Sequence, residues 1–264
     1  EINGGEPLTR KKLVILLTKE LKKHFLKVGL NSNGSLINKE VLNQLEQSGL
    51  DVIKISFYSL NKETHNYLRG CPQAFDSAQK AIELIQKSKI NLEVALLITA
   101  QNIKEAPELI QHLQTLPNIS IIIQPLDEKI ESQGSRNWHS NNLITSLWPK
   151  EKDVNNFFDF VLQNNQKIKN PKPNLKAIWQ YYLNPNQVPN SRCFTGQRNL
   201  VIYPNANVSL CFKGETIGNL NEQNLKKILK NAKSTRKKIK KCPKYCHVIG
   251  CNYSRGFKEL FTKR

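Results

Sequence analysis

Cysteines cluster near the C-terminal end of this 264-residue chain, and this feature most restricts what the chain can fold into. Five of the six cysteines fall within residues 193–251: Cys193, Cys211, Cys242, Cys246 and Cys251. Their order is Cys-x17-Cys, a longer gap, and then Cys-x3-Cys-x4-Cys. Because thiolates are soft ligands that select zinc or iron-sulfur centres, five of them in one short segment predict a small domain that wraps around a metal.

The spacing of these cysteines favours an iron-sulfur cluster over zinc. A zinc ribbon is expected to show two Cys-x2-Cys knuckles, and the sequence has neither. Between Cys193 and Cys211, two apolar runs flank the turn sequence Pro-Asn-Ala-Asn, which predicts a β-hairpin that brings the two thiols together. The last three cysteines lie in a stretch with Pro243 and Gly250 that predicts a loop. Zinc binding, or burial as small apolar side chains, remains the alternative.

Residues 1–126 alternate short apolar runs with amphipathic stretches. Strands are predicted at 27–30, 51–57, 91–98 and 119–124, and helices at 9–24, 38–45, 75–86 and 102–116. Repeated strand-helix units with buried strands are typical of a parallel α/β sheet or barrel. In such folds, ligands bind beyond the C-terminal ends of the strands.

Glycines and polar side chains occupy the predicted strand ends. They include Gly4-Gly5-Glu6-Pro7, Ser32-Asn33-Gly34 and Ser56. Paired glycines let a ligand approach bare backbone groups, and the Glu6 carboxylate can accept hydrogen bonds from an ammonium group. Taken singly, each segment is more typical of an ordinary turn than of a binding site.

Taken together and in order, these segments resemble the radical S-adenosylmethionine (radical SAM) barrel from its second strand onward. Gly4-Gly5-Glu6-Pro7 is similar to the family's GGEP motif, which holds the amino end of SAM, and Ser32-Asn33-Gly34 is similar to its Thr-Asn-Gly strand end. Residues 63–70 and Asn102 match two further family positions. The resemblance implies an α/β fold, a partial (β/α)6 TIM-like barrel. It also implies a set of SAM-binding residues: Gly4, Gly5, Glu6, Pro7, Asn33, Ser56 and Arg69.

The C-terminal segment resembles the abbreviated SPASM or twitch domain, which carries an auxiliary cluster in some radical SAM enzymes. Residues 215–220, Glu-Thr-Ile-Gly-Asn-Leu, look like the family's segment ahead of its last cysteines. Ala206 stands where the family has a glycine, and the cysteines are fewer than the seven of a full SPASM pattern. The resemblance implies a small hairpin-and-helix domain that holds one 4Fe-4S cluster with four of the five clustered cysteines.

One family motif is missing from the chain. A Cys-x3-Cys-x2-Cys motif binds the cluster that cleaves SAM and precedes GGEP in the family, and it occurs nowhere in this sequence. Cys71 alone cannot hold a 4Fe-4S cluster. We therefore expect that the first strand-helix unit and its cysteines have been cut off, and that these residues alone do not catalyse the radical reaction. A barrel that never had this site is the alternative.

Three segments are expected along the chain. Residues 1–126 form the partial barrel, and residues 127–191 contribute a loop and helices that complete or cap it. Helices are predicted within the second segment at 153–166 and 178–183, before a proline-rich bridge. Residues 192–264 form the auxiliary-cluster domain.

Composition indicates a globular protein with a strongly basic surface. Hydrophobic residues make up 39% of the chain, no apolar run approaches the roughly 20 residues of a membrane helix, and six cysteines do not suggest a secreted disulfide scaffold, so we expect a cytoplasmic protein. The formal net charge is +19, and residues 226–244 are the densest basic stretch. Biased codon usage explains such a run more readily than a nucleic-acid interface does.

The full set of resemblances implies an enzyme that generates a 5′-deoxyadenosyl radical, which abstracts hydrogen from a substrate. The implied partners are SAM, a second 4Fe-4S cluster, a reductant such as flavodoxin or ferredoxin, and a peptide or small-molecule substrate. The alternative from another class is a non-catalytic metal-binding module that binds RNA through its basic face.

Overall fold

The computed structural model describes residues 1–126, 146–185, 195–212 and 214–241. The chain divides into two compact units. The first comprises Glu1–Gln124 and Pro149–Asn170, and the second comprises Pro125–Trp148 and Pro171–Arg264.

A four-stranded sheet forms the centre of the first unit. Its strands lie side by side in chain order: β1 (Gly29–Ser32), β2 (Val52–Ser56), β3 (Asn91–Ile98) and β4 (Ile119–Pro125). β2 pairs in parallel with both β1 and β3, and Ile2 adds a parallel bridge to Leu30. This sheet confirms the predicted α/β class with parallel strands.

Helices connect the strands and pack against the sheet. After a 3-10 turn at Pro7–Arg10, the helices of the first unit are α1 (Lys11–Lys23), α2 (Lys39–Gln47), α3 (Lys62–Arg69), α4 (Ala74–Ile85), α5 (Ala106–Thr115) and α6 (Glu151–Gln163). Side chains of β2 that alternate along the strand, Ile53 and Ile55, are fully buried in the core. The Asn38 side chain caps α2 as predicted, since its Oδ1 accepts from Val41 N at 2.9 Å.

β1, α3 and α5 differ from the sequence-based prediction, each for a local physical reason. β1 ends two residues later than expected, because polar Asn31 and Ser32 continue the pairing with β2. α3 was not predicted; the Asn61 side chain begins it, and Gly70, with φ of 63°, ends it. α5 begins at Ala106 rather than at position 102, because the preceding residues form a separate turn.

Helical spacing predicts an apolar face on the first helix, but in the structure this face is largely exposed; its predicted members are Leu13, Leu16, Leu17, Leu21 and Phe25. Val14 and Thr18 are the residues of α1 that become buried, whereas Leu13 and Leu16 are 52% and 63% exposed. Hydrophobic periodicity places these leucines on one face, but it cannot show which part of that face meets the sheet.

The second unit combines helices with a small antiparallel sheet. Its elements are α7 (Lys172–Leu183), α8 (Thr195–Arg198), β5 (Val201–Ile202), β6 (Asn207–Ser209), β7 (Thr216–Asn219), α9 (Leu225–Asn231) and α10 (Lys233–Lys240). β5 and β6 form the predicted hairpin, and β7 pairs with β6. α7 is longer than expected because Pro173 lies in its first turn, where proline does not break a helix.

Within the part of the chain that the structure describes, no helix is both long and apolar enough to cross a bilayer.

Candidate functional site

Glu6 ties the glycine-rich turn to the end of β1. Its Oε1 accepts from Leu8 N at 3.2 Å and from Ser32 Oγ at 3.0 Å, and its Oε2 accepts from Asn33 N at 2.8 Å. A carboxylate offers about four lone-pair positions, so these three hydrogen bonds leave one acceptor position, on Oε2. The arrangement therefore fixes the carboxylate and still lets it receive one donor from a ligand.

The two glycines beside Glu6 face open space. A Cβ added to Gly5 would meet no atom within 4 Å, and one added to Gly4 would only touch Pro7 at 4.0 Å. Neither glycine has a positive φ. Nothing within the described protein therefore requires glycine here, whereas a ligand that lies against the backbone would require it.

Ser56 lies at the same edge of the sheet as Glu6 and Asn33. Ser32 pairs with Ile55, so Asn33, which follows β1, and Ser56, the last residue of β2, lie at the ends of neighbouring parallel strands. Adjacent strands are about 4.8 Å apart. The structure thus brings Glu6, Asn33 and Ser56 to one edge, as expected for the C-terminal ends of parallel strands.

Arg69 reaches this region through Tyr58. Its Nη1 donates to Tyr58 Oη at 3.0 Å, and its guanidinium lies 5.3 Å from the centre of the Tyr58 ring. Tyr58 follows β2, two residues after Ser56, and is 7% exposed. The aromatic contact and the hydrogen bond hold the cation of Arg69 beside the end of β2.

A buried amide, Asn102, fixes Tyr58 in turn. Its Oδ1 accepts from Thr99 N at 2.7 Å and from Thr99 Oγ1 at 3.1 Å. Its Nδ2 donates to the carbonyl oxygens of Tyr58, at 2.8 Å, and Leu97, at 2.7 Å. Asn102 therefore uses its full hydrogen-bonding capacity to join the ends of β2 and β3.

His65 packs under the same strand end and is expected to make stability depend on pH. Tyr58 N donates to His65 Nδ1 at 3.1 Å, and the ring lies 5.0 Å from that of Phe57. Burial, with a smaller contribution from the charge of Arg69, lowers the pKa of His65 from 6.5 to about 4. The unfolded chain therefore binds a proton at higher pH than the folded chain does, and stability falls as the pH drops from about 6.5 towards 4.

Lowering the pH from 7.5 to 5 should cost about 2 kcal/mol of unfolding free energy through His65 alone. Urea unfolding at both pH values measures this cost. His65→Gln keeps a hydrogen-bond acceptor without a titrating ring, so the unfolding free energy that this variant loses between pH 7.5 and pH 5 should be smaller by that amount. Exposed His112→Gln serves as the control and should behave like the unmodified chain. If His65→Gln loses as much unfolding free energy at pH 5 as the unmodified chain does, His65 is excluded as the cause.

A row of charges crosses one face of the sheet beside Ser56, and the sequence-based prediction did not single it out. Lys54 and Glu93 are register partners, 3.8 Å apart between Nζ and a carboxylate oxygen, and the Glu93 side chain is only 7% exposed. Glu1 pairs with Lys54 at 2.8 Å, and Lys169 pairs with Glu93. Lys54 precedes Ser56 by two residues, so this row forms a polar floor about 7 Å beneath the candidate site. The signal that the sequence offered was the alternation of Lys54 and Ser56 with buried isoleucines.

Of the five predicted cluster ligands, Cys211 is the one that lies within the described residues, and it belongs to the second unit. It follows β6, is half-buried, and packs with Ile217 and Leu229 against the core that Leu210 helps to form. Its carbonyl oxygen accepts from Ser209 Oγ at 2.7 Å and from Gly214 N at 3.0 Å, which fixes the backbone of this candidate ligand. The other predicted ligands lie outside the described residues: Cys193, Cys242, Cys246 and Cys251. The sulfur donors in the sequence fit a 4Fe-4S cluster chemically.

The backbone at Ala206 explains why a glycine suits this position. Ala206 has φ of 66°, in the left-handed region, which costs a residue with a Cβ roughly 1 kcal/mol. Gly218 of β7 is needed for a different reason, because a Cβ there would come within 2.8 Å of the Ile228 side chain on α9. The two small residues let the hairpin turn and let α9 lie directly on the sheet.

Two family models match the chain. The Radical SAM superfamily model matches residues 2–113, and the SPASM model, an iron-sulfur cluster-binding domain, matches residues 193–252. The candidate residues at the strand ends fall within the first match, and all five clustered cysteines fall within the second.

Several curated proteins are similar to part of the chain. An AdoMet-dependent heme synthase of Methanosarcina barkeri is 31% identical over 39% of this chain and 30% of its own length. PqqA peptide cyclase of Granulibacter bethesdensis is 25% identical over 43% of this chain and 30% of its own length. The antilisterial bacteriocin subtilosin biosynthesis protein AlbA of Bacillus subtilis is 32% identical over 44% of this chain and 26% of its own length. The matches thus span less than a third of the length of these three relatives.

Solved structures share the fold. SuiB of Streptococcus suis superposes with a TM-score of 0.59 at 18% identity, over 96% of this chain and 57% of that chain. SuiB bound to S-adenosylmethionine and SuiB bound to precursor peptide SuiA superpose with TM-scores of 0.58 and 0.59, at 18% and 17% identity. Each covers 86% of this chain and 52% of the SuiB chain. These likenesses support the α/β fold with its TIM-like arrangement.

Proposed function

The chain belongs to the radical SAM superfamily and carries a SPASM-type C-terminal domain, and we propose that it binds SAM at the strand ends of its first unit and acts on a peptide substrate. The observation that carries the SAM site is the Glu6 carboxylate, which is fixed by Ser32 and Asn33 beside two open glycines. The domains imply 4Fe-4S clusters and SAM as cofactors.

In this proposal, the residues of the first unit have distinct tasks. The remaining acceptor position of Glu6 receives the SAM ammonium group, and the backbone at Gly4 and Gly5 lies against the ligand. Ser56 and Arg69 bind the ribose or the carboxylate, and the contacts of Tyr58 and Asn102 keep Arg69 in place. The cluster that cleaves SAM would supply one electron for that cleavage, and the Cys-x3-Cys-x2-Cys motif that would hold it is not among the 264 residues.

The peptide substrate is proposed from the relatives. PqqA peptide cyclase and the subtilosin biosynthesis protein AlbA are each similar to part of this chain, and SuiB has been solved with a precursor peptide. Because the 264 residues contain no Cys-x3-Cys-x2-Cys motif, we propose that they do not cleave SAM by themselves. The peptide substrate can be tested by measuring the release of 5′-deoxyadenosine with and without added peptide. The measurement uses a form of the protein that includes a Cys-x3-Cys-x2-Cys motif, and the release should rise when the peptide is added.

Gly5→Ala tests the SAM site directly. The added methyl group meets no protein atom, so the unfolding free energy should stay the same or rise slightly, while SAM affinity should fall at least tenfold. Equilibrium dialysis with labelled SAM under anaerobic conditions measures the affinity, and urea unfolding measures the stability.

Gly49→Ala is the matched control for this substitution. Gly49 has φ of 85°, and a Cβ there would approach the Lys22 side chain at 3.1 Å, so this variant should lose stability and keep SAM affinity. If Gly5→Ala keeps the SAM affinity of the unmodified chain, SAM does not bind against the backbone at Gly5. A chain that binds no SAM at all would contradict the proposed function.

A further inference from the structure

An open groove lies between α4 and the C-terminal end of α5, within the first unit. Its volume is about 590 Å³, which falls in the range of small-molecule sites. One side of α4 and the residue after it make the first wall: Phe75, Gln79, Ile82, Glu83 and Gln86. The last turn of α5 and the residues after it make the second wall: His112, Leu113, Leu116 and Pro117. None of the candidate SAM-binding residues lines this groove, so it is a separate site.

Most of the groove lining is apolar. Phe57, Ile82 and Leu113 line it with buried side chains, and Phe75 and Leu116 are half-buried. Water in such a groove finds few hydrogen-bonding partners, so an apolar molecule of matching size that displaces it is favoured.

One amide of the lining has no hydrogen-bond partner. Gln86 follows the last residue of α4, and both its Nε2 and its Oε1 are buried without a partner among the described residues. A primary amide offers two N–H donors and two acceptor positions, and burying them unpaired is unfavourable. Because the amide has no hydrogen bond to give up, it can turn into the groove to meet a ligand that offers both a donor and an acceptor.

The charges of the lining favour an uncharged ligand. Glu83 and Lys87 are exposed and of opposite sign, and Gln79 Nε2 donates to Glu83 Oε1 at 3.4 Å. His112 on the facing wall is the other titratable residue of the lining, and an imidazole is largely uncharged at pH 8. At that pH, one positive and one negative group give no net attraction for a ligand of either sign.

We propose that this groove binds an apolar, uncharged molecule that carries a primary carboxamide or a ring lactam. In both groups the N–H and the C=O point the same way, so either group can exchange two hydrogen bonds with the Gln86 amide. A carboxylate can only accept, and an ester has no N–H to donate. The apolar part of the ligand covers Phe57, Ile82 and Leu113. The inference goes beyond the proposed function and depends on neither SAM nor a cluster.

The experiment measures the binding of small probes to the 264-residue chain at pH 8 by ligand-observed NMR. The main probe is 1-naphthaleneacetamide, which joins an apolar ring system to a primary carboxamide. Methyl 1-naphthaleneacetate keeps the ring system but cannot donate, and 1-naphthaleneacetate adds a negative charge. The carboxamide should bind with a Kd on the order of 1 mM, which is typical of so small a ligand. The ester and the carboxylate should each bind at least fivefold more weakly.

Three variants locate the probe. Gln86→Leu removes the amide, so its affinity for the carboxamide should fall at least fivefold, to that of the ester. Its resistance to urea should not fall, since the amide has no partner to lose. Exposed Gln47→Leu on α2 is the matched control and should change neither property. Leu116→Trp puts a larger side chain into the groove and should weaken the binding of every probe.

Three results would overturn the proposal. Equal affinity for the carboxamide and the ester would show that the groove does not select an amide. A loss of stability in Gln86→Leu with unchanged probe binding would show that the amide has a structural partner instead. Probe binding that Leu116→Trp leaves unchanged would place the probe outside the groove. Each of these results leaves the proposed SAM site untouched, because no probe measurement involves SAM.

Discussion

Replacing Asn102 with alanine should lower the free energy of unfolding by about 3–5 kcal/mol, because four hydrogen bonds of a fully buried amide are lost at once. The substitution leaves the Thr99 N–H and the carbonyl groups of Tyr58 and Leu97 without these partners. A buried polar group without a partner costs roughly 1–3 kcal/mol. Urea unfolding measures the change.

The same variant should also weaken SAM binding, since Tyr58 holds Arg69 beside the candidate site. Exposed Asn43→Ala on α2 is the control and should change stability by less than about 0.5 kcal/mol. A loss of 1 kcal/mol or less in Asn102→Ala would mean that water replaces the amide and that Asn102 does not join the strand ends.

Replacing Cys211 with alanine should abolish the auxiliary cluster. A 4Fe-4S cluster takes four thiolates, and the backbone of Cys211 is fixed by Ser209 and Gly214 at the end of the hairpin. After anaerobic reconstitution, iron and acid-labile sulfide should fall from about four each per chain to less than one. Zinc is assayed in parallel.

Cys71→Ala is the matched control, because Cys71 is exposed and belongs to the first unit, whereas the clustered cysteines belong to the second. It should keep the full iron content. If Cys211→Ala also keeps about four irons, the cluster is held by the other four clustered cysteines. If the unmodified chain binds zinc and no iron, the clustered cysteines hold a structural zinc ion rather than an iron-sulfur cluster.

Local sequence was enough to predict elements that depend on neighbouring residues. The Asn38 cap, the strand at Asn91–Ile98 and the hairpin of β5 and β6 follow from side chains within a few positions of each other. The grouping of Glu6, Asn33 and Ser56 also follows, because parallel strands place their C-terminal ends at one edge. The roles of these residues in SAM binding stay a prediction.

Other features depend on contacts between residues far apart in the chain. Glu6 was expected to present its carboxylate to a ligand, yet three of its acceptor positions serve its own turn and the end of β1. Lys54 and Glu93 were not singled out, since a charged residue in an apolar run gives no sign of the partner that allows its burial.

Periodicity, residue type and spacing are local properties, and they were enough to predict the parallel α/β class, the chemistry of the clustered thiols and the strand ends at which ligands are expected. Three other features emerge from the folded chain alone: Asn102 joins β2 to β3, Tyr58 holds Arg69, and α9 and α10 pack towards Cys211. Each of these depends on side chains brought together by strand pairing and helix packing, whose free energy comes from the whole buried core.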